Sequence, residues 1–300
     1  DCWVPGGPGS DAYLEKLDGF ETDALTDRFI RFMGRQTAYR PDQPFFAALS
    51  VQPPHWPEQA PPAFTKLRAD EVQLRPNCAQ GSRAEATAQT RAPGYYGLIE
   101  NWDHNIGRVV QALRRLGISQ DTHIVYFADH GEMLGSHGHM GKVLPYEESI
   151  RIPCVIGGAD HFYQGSRRDA VTAPLMNHVD FAPTSLGLAG IAVPEWMEGT
   201  DYSHLRLGGE PSGAIPDSAY IQAIEPREGS PAYRALVTND GWKYAATDDG
   251  AWCLFDLNDD PFEQHNLARI PSARKQQQAL HDRLLQWARD LDDPWPPPRE

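Results

Sequence analysis

Cysteine is scarce in this chain. Cys2, Cys78, Cys154 and Cys253 are too few and too widely spaced for a disulfide scaffold or a Cys-x-x-Cys metal site. Cys154 and Cys253 lie in the apolar runs Ile152-Pro153-Cys154-Val155-Ile156 and Trp252-Cys253-Leu254-Phe255, which predicts buried, inert thiols. Long hydrophobic stretches are missing as well: nothing approaches the roughly 18 apolar residues of a membrane-spanning helix. Positive charge is in deficit. With 27 Lys and Arg against 41 Asp and Glu, the net charge is −14, which opposes a broad surface for nucleic acid. An anionic substrate must therefore meet a local cluster of cations. The amino terminus has neither an initiator methionine nor a signal-peptide pattern, so Asp1 reads as an internal start and gives no cellular address.

The 300 residues are enough for one large α/β core with a smaller appended unit. Leu25, Phe29, Phe32 and Met33 recur at helical spacing, and the apolar run Phe45 to Val51 reads as a buried strand. Pro53, Pro54 and Pro57 block both helix and ladder, so residues 52–62 form a loop at the strand's carboxyl end, with His55 inside it. Residues 66–94 are polar without clear period and read as a surface excursion. Ile99, Trp102, Ile106, Val109, Val110, Leu113 and Leu116 then define a helix that Gly117 stops.

A short turn leads into the strand His123 to Ala128, which ends abruptly in Asp129-His130-Gly131. Helix, turn and strand in this order predict a unit of a parallel sheet, and such sheets place ligands beyond the carboxyl ends of their strands. A second strand is predicted at 152–156 and a helix at 180–188, capped by Asp180. Past residue 200, Gly208-Gly209 and Pro211, Pro216, Pro226 and Pro231 mark an irregular linker. Residues 235–247 and 251–257 flank Asp248-Asp249-Gly250 as an antiparallel hairpin, and Ala279, Leu280, Leu284, Leu285, Trp287 and Ala288 give a terminal helix before the proline-rich tail from Pro294. The predicted organisation is an α/β core over 1–205 and a carboxy-terminal hairpin-and-helix subdomain over 206–300.

Chemistry concentrates after the strand end. An acid and an imidazole side by side, Asp129 and His130, precede a glycine-punctuated loop, Gly131-Glu132-Met133-Leu134-Gly135-Ser136-His137-Gly138-His139-Met140-Gly141, that delivers Lys142. These are the parts of a metal-assisted site for a tetrahedral oxyanion: donors for a divalent cation, and an ammonium for an ester oxygen. An Asp-His-Gly turn is also an ordinary polar strand terminus, and His130, His137 and His139 lack zinc-ligand spacing. His137 and His139 read as loop residues, and Glu147, Glu148 and Arg151 as an ion-pair set holding the Lys142 loop against the following strand.

The segment from Ala128 through Lys142 to Tyr146-Glu147-Glu148 and Arg151-Ile152-Pro153 resembles the second signature region of the sulfatase family, within the alkaline phosphatase superfamily. The resemblance extends to Gln52-Pro53-Pro54-His55-Trp56-Pro57, to Asn177-His178-Val179-Asp180-Phe181-Ala182-Pro183-Thr184, and to Leu254-Phe255-Asp256-Leu257-Asn258-Asp259-Asp260-Pro261-Phe262-Glu263. It implies an alkaline-phosphatase-like α/β fold with a mostly parallel sheet. It further implies a divalent metal on Asp129 and His130, sulfate contacts from His55 and Lys142, and hydrolysis of a small-molecule or carbohydrate sulfate ester. Periplasmic or secreted location is the family's usual setting.

Two departures qualify this. The family's nucleophile, a formylglycine made from cysteine or serine in an x-Pro-x-Arg context, has no match, because Cys2-Trp3-Val4-Pro5-Gly6 and Cys78-Ala79-Gln80-Gly81-Ser82 carry the wrong residues. The chain thus reads as an amino-terminally truncated member whose nucleophile lies upstream. His130 stands where many members have asparagine, which moves the expected metal from Ca2+ alone toward Mn2+ or Zn2+ as well. Phosphate or phosphonate ester hydrolysis by the same machinery, and a non-catalytic remnant binding metal or glycan, are the alternatives.

Overall fold

The computed structural model describes residues 2–4, 13–15, 17–158, 174–227 and 229–295. The chain divides into two units, one formed by Asp1–Leu74 and Gly81–Thr122, the other by Arg75–Gln80 and His123–Glu300. Among the described residues no helix is long and apolar enough to cross a membrane.

The first unit opens with a small antiparallel ribbon, β1 (Cys2–Val4) and β2 (Tyr13–Glu15). Helix α1 (Glu21–Tyr39) follows, with Met33 buried. Helix α2 (Arg83–Arg115) starts at Ser82, whose hydroxyl accepts the Glu85 N–H at 3.0 Å, a side-chain cap for an otherwise orphaned donor. It stops where Gly117 turns left-handed at φ 75° and Ile118 N–H returns to Leu113 O. Residues 83–94 are therefore helix, not a surface excursion. Their buried stripe is made of Ala88 and Ala92, side chains too small to announce a hydrophobic period. Asp23 accepts from Asn101 at 3.1 Å and from Asn105 at 2.7 Å, tying α1 to α2. The loop carrying His55 continues into residues packed directly on α2: a Cβ on Gly94 would meet Glu58 O at 2.0 Å, and one on Gly97 would meet Phe64 O at 2.5 Å. The expected strand over 45–51 is not formed: these described residues belong to no regular element and join no ladder, and Phe46 is exposed. Apolar content favours a strand without supplying the partner that a ladder needs.

In the second unit, β3 (His123–Phe127) pairs with β4 (Cys154–Gly158), from Phe127 opposite Cys154 to His123 opposite Gly158. This pairing is antiparallel, where the helix–turn–strand order predicts a parallel neighbour. The chain between them contains only α3 (Glu147–Ile150), a single turn and no crossover helix, so it comes back into β4 beside the end it left. Cys154, expected to be buried, is exposed on this edge, whereas Cys253 is buried. Helices α4 (Phe181–Leu188) and α5 (His204–Leu207) follow. Asp180 stands at the α4 N-cap position, but its carboxylate accepts the N–H groups of Asn177 (2.6 Å) and Thr200 (2.7 Å) instead of capping that helix.

The rest is a four-stranded antiparallel meander, β5 (Ser218–Ala223), β6 (Tyr233–Thr238), β7 (Trp242–Thr247) and β8 (Gly250–Asp256), closed by α6 (Arg274–Asp290). Two differences from the predicted hairpin stand out. Asn239-Asp240-Gly241 splits the expected single strand 235–247 into β6 and β7, with Gly241 at φ 90° against the Asn258 side chain. β5 arises inside the expected linker. One sheet face packs Tyr220, Leu236, Tyr244 and Leu254 on Leu280 and Leu284 of α6. The opposite face carries Tyr233, Ala235, Ala245, Cys253 and Phe255, and Tyr146 packs against it. The tail beyond Trp295 lies outside the described residues.

Arg234 and Asp293 form a bidentate ion pair at 2.6 and 2.8 Å, each side chain 5% exposed, and Tyr220 OH donates to Asp293 at 2.8 Å. The Arg234 hydrogen bond holds the Asp293 carboxyl down, from an ordinary 3.8 to about 2. Because the folded value is depressed, this stabilisation is present above about pH 4 and is lost as pH falls toward about 2. Asp293→Asn should cost about 3 to 5 kcal/mol at neutral pH, the usual result of orphaning one partner of a buried pair. It should also flatten the acid limb in urea titrations; an acid limb identical to wild type would contradict the assignment.

Candidate active site

β3 ends at Asp129-His130-Gly131, and the turn is seated on α3. Gly131 N–H donates to Ser149 O at 2.8 Å, and a Cβ on Gly131 would stand 2.0 Å from Glu148 O. Glycine is required there by that close approach, not by its torsions. The Asp129 side chain is 87% exposed. One of its oxygens accepts His130 N–H at 3.0 Å, and the other faces His130 Nε2 at 3.4 Å. His130 Nδ1 lies 2.8 Å from Gly131 O, which can only accept, so Nδ1 carries a proton and Nε2 is the ring nitrogen turned toward Asp129.

That arrangement fits a divalent cation. Two donors about 2.3 Å from an ion and at right angles to each other stand about 3.3 Å apart, close to the observed separation of Asp129 Oδ2 and His130 Nε2. The carboxylate suits calcium or manganese, and the imidazole favours zinc or manganese over calcium. His178, from the turn before α4, donates its Nε2 proton to Ala128 O at 3.2 Å, which adds a second imidazole beside the strand end. Only its place in the Asn-His-Val-Asp segment hints at this.

Lys142 belongs to the same unit, on a loop folded on itself. Met133 N–H donates to Gly141 O at 2.7 Å, and Gly141 N–H donates to Glu132 at 2.6 Å. Val143 is left-handed at φ 77°, a costly conformation for a β-branched residue. Its N–H donates to Ser149 Oγ at 3.1 Å, and its carbonyl accepts the Ser230 hydroxyl at 3.0 Å. Lys142 has no ion-pair partner among the described residues. His55 lies in the first unit, its Nδ1 2.7 Å from Trp56 O.

Below the loop lies a buried charge cluster that sequence reasoning met only in part. His137, Glu148 and Glu263 offer donor atoms within 4.8 Å of one another. Cations of the chain already compensate that negative charge. Lys243 Nζ, fully buried, stands 2.6 Å from Glu263 and 2.7 Å from Glu147; Asn77 donates to Glu148 at 2.8 Å, and Arg75 approaches it at 3.3 Å. An ammonium against Glu263 opposes a second cation there, so the cluster is an ion-pair anchor. His137 stacks on Tyr146 at 3.9 Å, and burial lowers its pKa. Burial also raises the Glu263 carboxyl, with Lys243 opposing, and lifts Tyr146 to about 12. The expected set of Glu147, Glu148 and Arg151 does hold the loop. It does so mainly against β7 and the 75–80 segment, since Arg151 is exposed and 3.7 Å from Glu147. His139 is an exposed loop residue.

A family model described as Sulfatase matches residues 6–191, and one described as N-sulphoglucosamine sulphohydrolase, C-terminal, matches 135–290. The Ulvan-active sulfatase of Formosa agariphila is 31% identical over 262 residues, 84% of this chain and 49% of that protein. The crystal structure of yidJ from Bacteroides fragilis aligns with a TM-score of 0.78 at 27% identity, covering 93% of this chain and 60% of that one. A protein solved with its substrate D-glucosamine-2-N,6-O-disulfate aligns with a TM-score of 0.80 at 21% identity, covering 97% and 73%. The fold is α/β and alkaline-phosphatase-like, its helices accompanied by the four-stranded antiparallel subdomain. Within that class the chain belongs to the sulfatase family, which implies a divalent metal. It spans about half the length of the curated relatives it matches.

The seat of the Asp-His-Gly turn can be tested directly. Gly131→Ala should lower stability by about 1 to 3 kcal/mol, because backbone must move to admit the methyl. An unchanged urea midpoint would show that the turn is not in contact with α3.

Proposed function

We propose that the protein is a metal-dependent sulfuric ester hydrolase whose substrate is a small sulfate ester, with sulfated carbohydrate the favoured class. The observation that carries this reading is the donor pair Asp129 Oδ2 and His130 Nε2, 3.4 Å apart on the end of β3, in the same unit as a lysine with no described counter-ion. A glucosamine disulfate bound by a protein of the same fold supports the carbohydrate class. Asp129 and His130 would hold a divalent cation, which when bound would supply Lewis acidity and cancel charge on the sulfate.

Ca2+ is the family's expectation, and the His130 imidazole extends it to Mn2+ or Zn2+. Lys142 neutralises charge on the bridging or a non-bridging oxygen, and its ammonium must be free of carboxylates to do so. By the family resemblance, His55 donates to a sulfate oxygen or protonates the leaving group. The nucleophile is a formylglycine from the cysteine or serine motif that none of these 300 residues provides, and it is carried beyond this chain. In a chain of net charge −14, recognition of a sulfate depends on these few cations.

In the protein as its gene encodes it, Lys142→Ala should reduce turnover of an aryl sulfate by about 10²- to 10³-fold while leaving the melting temperature unchanged. Full turnover by the variant, or faster cleavage of the matching phosphate ester by the wild type, would sink this reading.

A further inference from the structure

The Lys142 loop holds a strained residue beside its one lysine and is fastened to a distant sheet by buried charge. Val143 stands in the left-handed region at φ 77°, where a β-branched side chain is disfavoured, so surrounding contacts must impose the conformation. Two hydroxyls do so. Ser149 Oγ accepts its N–H at 3.1 Å, and the Ser230 hydroxyl donates to its carbonyl at 3.0 Å. Ser149 belongs to α3, and α3 is anchored in turn. Glu147 N–H donates to Glu263 at 2.7 Å, and the Glu147 carboxylate lies 2.7 Å from Lys243 Nζ. On the amino-terminal side of Lys142, the carbonyl of the Gly141–Lys142 peptide accepts Met133 N–H at 2.7 Å, and Gly141 N–H is held by Glu132. The peptide groups on both sides of Lys142 are thus fixed while its side chain has no described ion pair.

We propose that Val143, Ser230 and Lys243 are positioning residues: Val143 is locked left-handed by Ser149 and Ser230, the lock is fastened to β7 through Glu147, Lys243 and Glu263, and together they aim the Lys142 ammonium at the substrate's sulfate. The inference rests on the role proposed above for Lys142. None of the three touches substrate. Their effect is on direction, and misplacing a charge-bearing group by about 1 Å is enough to slow a reaction roughly a hundredfold.

Val143→Gly separates positioning from stability. Glycine accepts φ 77° without strain, so folding need not suffer, yet it also lets the loop leave that conformation. In the protein as encoded, Val143→Gly and Ser230→Ala should keep the unfolding midpoint close to wild type. The amides of Gly141 and Val143 should exchange at least about tenfold faster, and kcat on an aryl sulfate should fall about ten- to a hundredfold with KM little changed. Ser230→Thr, which retains the hydroxyl, should restore most of the rate. In a Lys142→Ala background, Val143→Gly should have no further effect. An undiminished effect there would overturn the proposal, because the residue would then act by another route. If the wild type cleaves no sulfate ester, the functional reading fails, and exchange still decides on the lock: protection of the Gly141 and Val143 amides that Val143→Gly and Ser230→Ala leave intact refutes it. Lys243→Met, should it fold, belongs with the same pattern; should it not, the two milder variants carry the test.

Discussion

An ammonium removed from water needs carboxylates in contact, and Lys243 has two, Glu147 at 2.7 Å and Glu263 at 2.6 Å, with its own side chain fully buried. Desolvating such charges costs several kcal/mol per ion, recovered only in close geometry. The three residues come from β7, from the first turn of α3 and from the segment after β8. One buried contact thereby fixes where α3 stands on the sheet. The Asp-His-Gly turn rests on α3 through Gly131, and the Lys142 loop is held to it through Ser149. Both parts of the candidate site take their position from that anchor, so packing and chemistry share one constraint.

Charge is distributed accordingly. The chain is acidic overall, yet around the anchor carboxylates are matched by Lys243, Arg75 and Asn77, while Asp129 is exposed with only its neighbour His130 against it and Lys142 has no described ion pair. Buried groups have spent their interactions on one another and hold shape; the half-buried Lys142 ammonium and the exposed Asp129 carboxylate lie outside that set. The same distinction explains why His137, Glu148 and Glu263 make a poor cation site in spite of their spacing. An ammonium already occupies the electrostatic role that a metal would take.

Local signals were legible where periodicity or an abrupt change of polarity carried them: the helix over Leu98 to Leu116, β3 and its Asp-His-Gly stop, the glycine loop reaching Lys142, and the terminal helix. Signals were weak where side chains were small or partners remote. The first half of α2 buries alanines, and β5 emerged from a proline-marked stretch whose ladder partner lies beyond the next turn. The antiparallel pairing of β3 with β4 depends on a reversal that no residue pattern encodes. Glu147 and Lys243 are separated by about a hundred positions, so their contact follows from the fold alone. Glu147 and Glu148 could be read as structural, but their partners could not. The strain at Val143 was invisible, since a valine in sequence gives no hint of φ.

The roles assigned to Asp129, His130 and Lys142 depend on where the cation is held. Crystals of the protein as encoded, soaked with Mn2+ and inorganic sulfate and measured at the manganese edge, locate it by anomalous difference. The prediction is a peak bonded to Asp129 and His130, with Lys142 against the sulfate. A peak within the His137, Glu148 and Glu263 cluster, with Asp129 and His130 turned to solvent, would contradict the account at its centre.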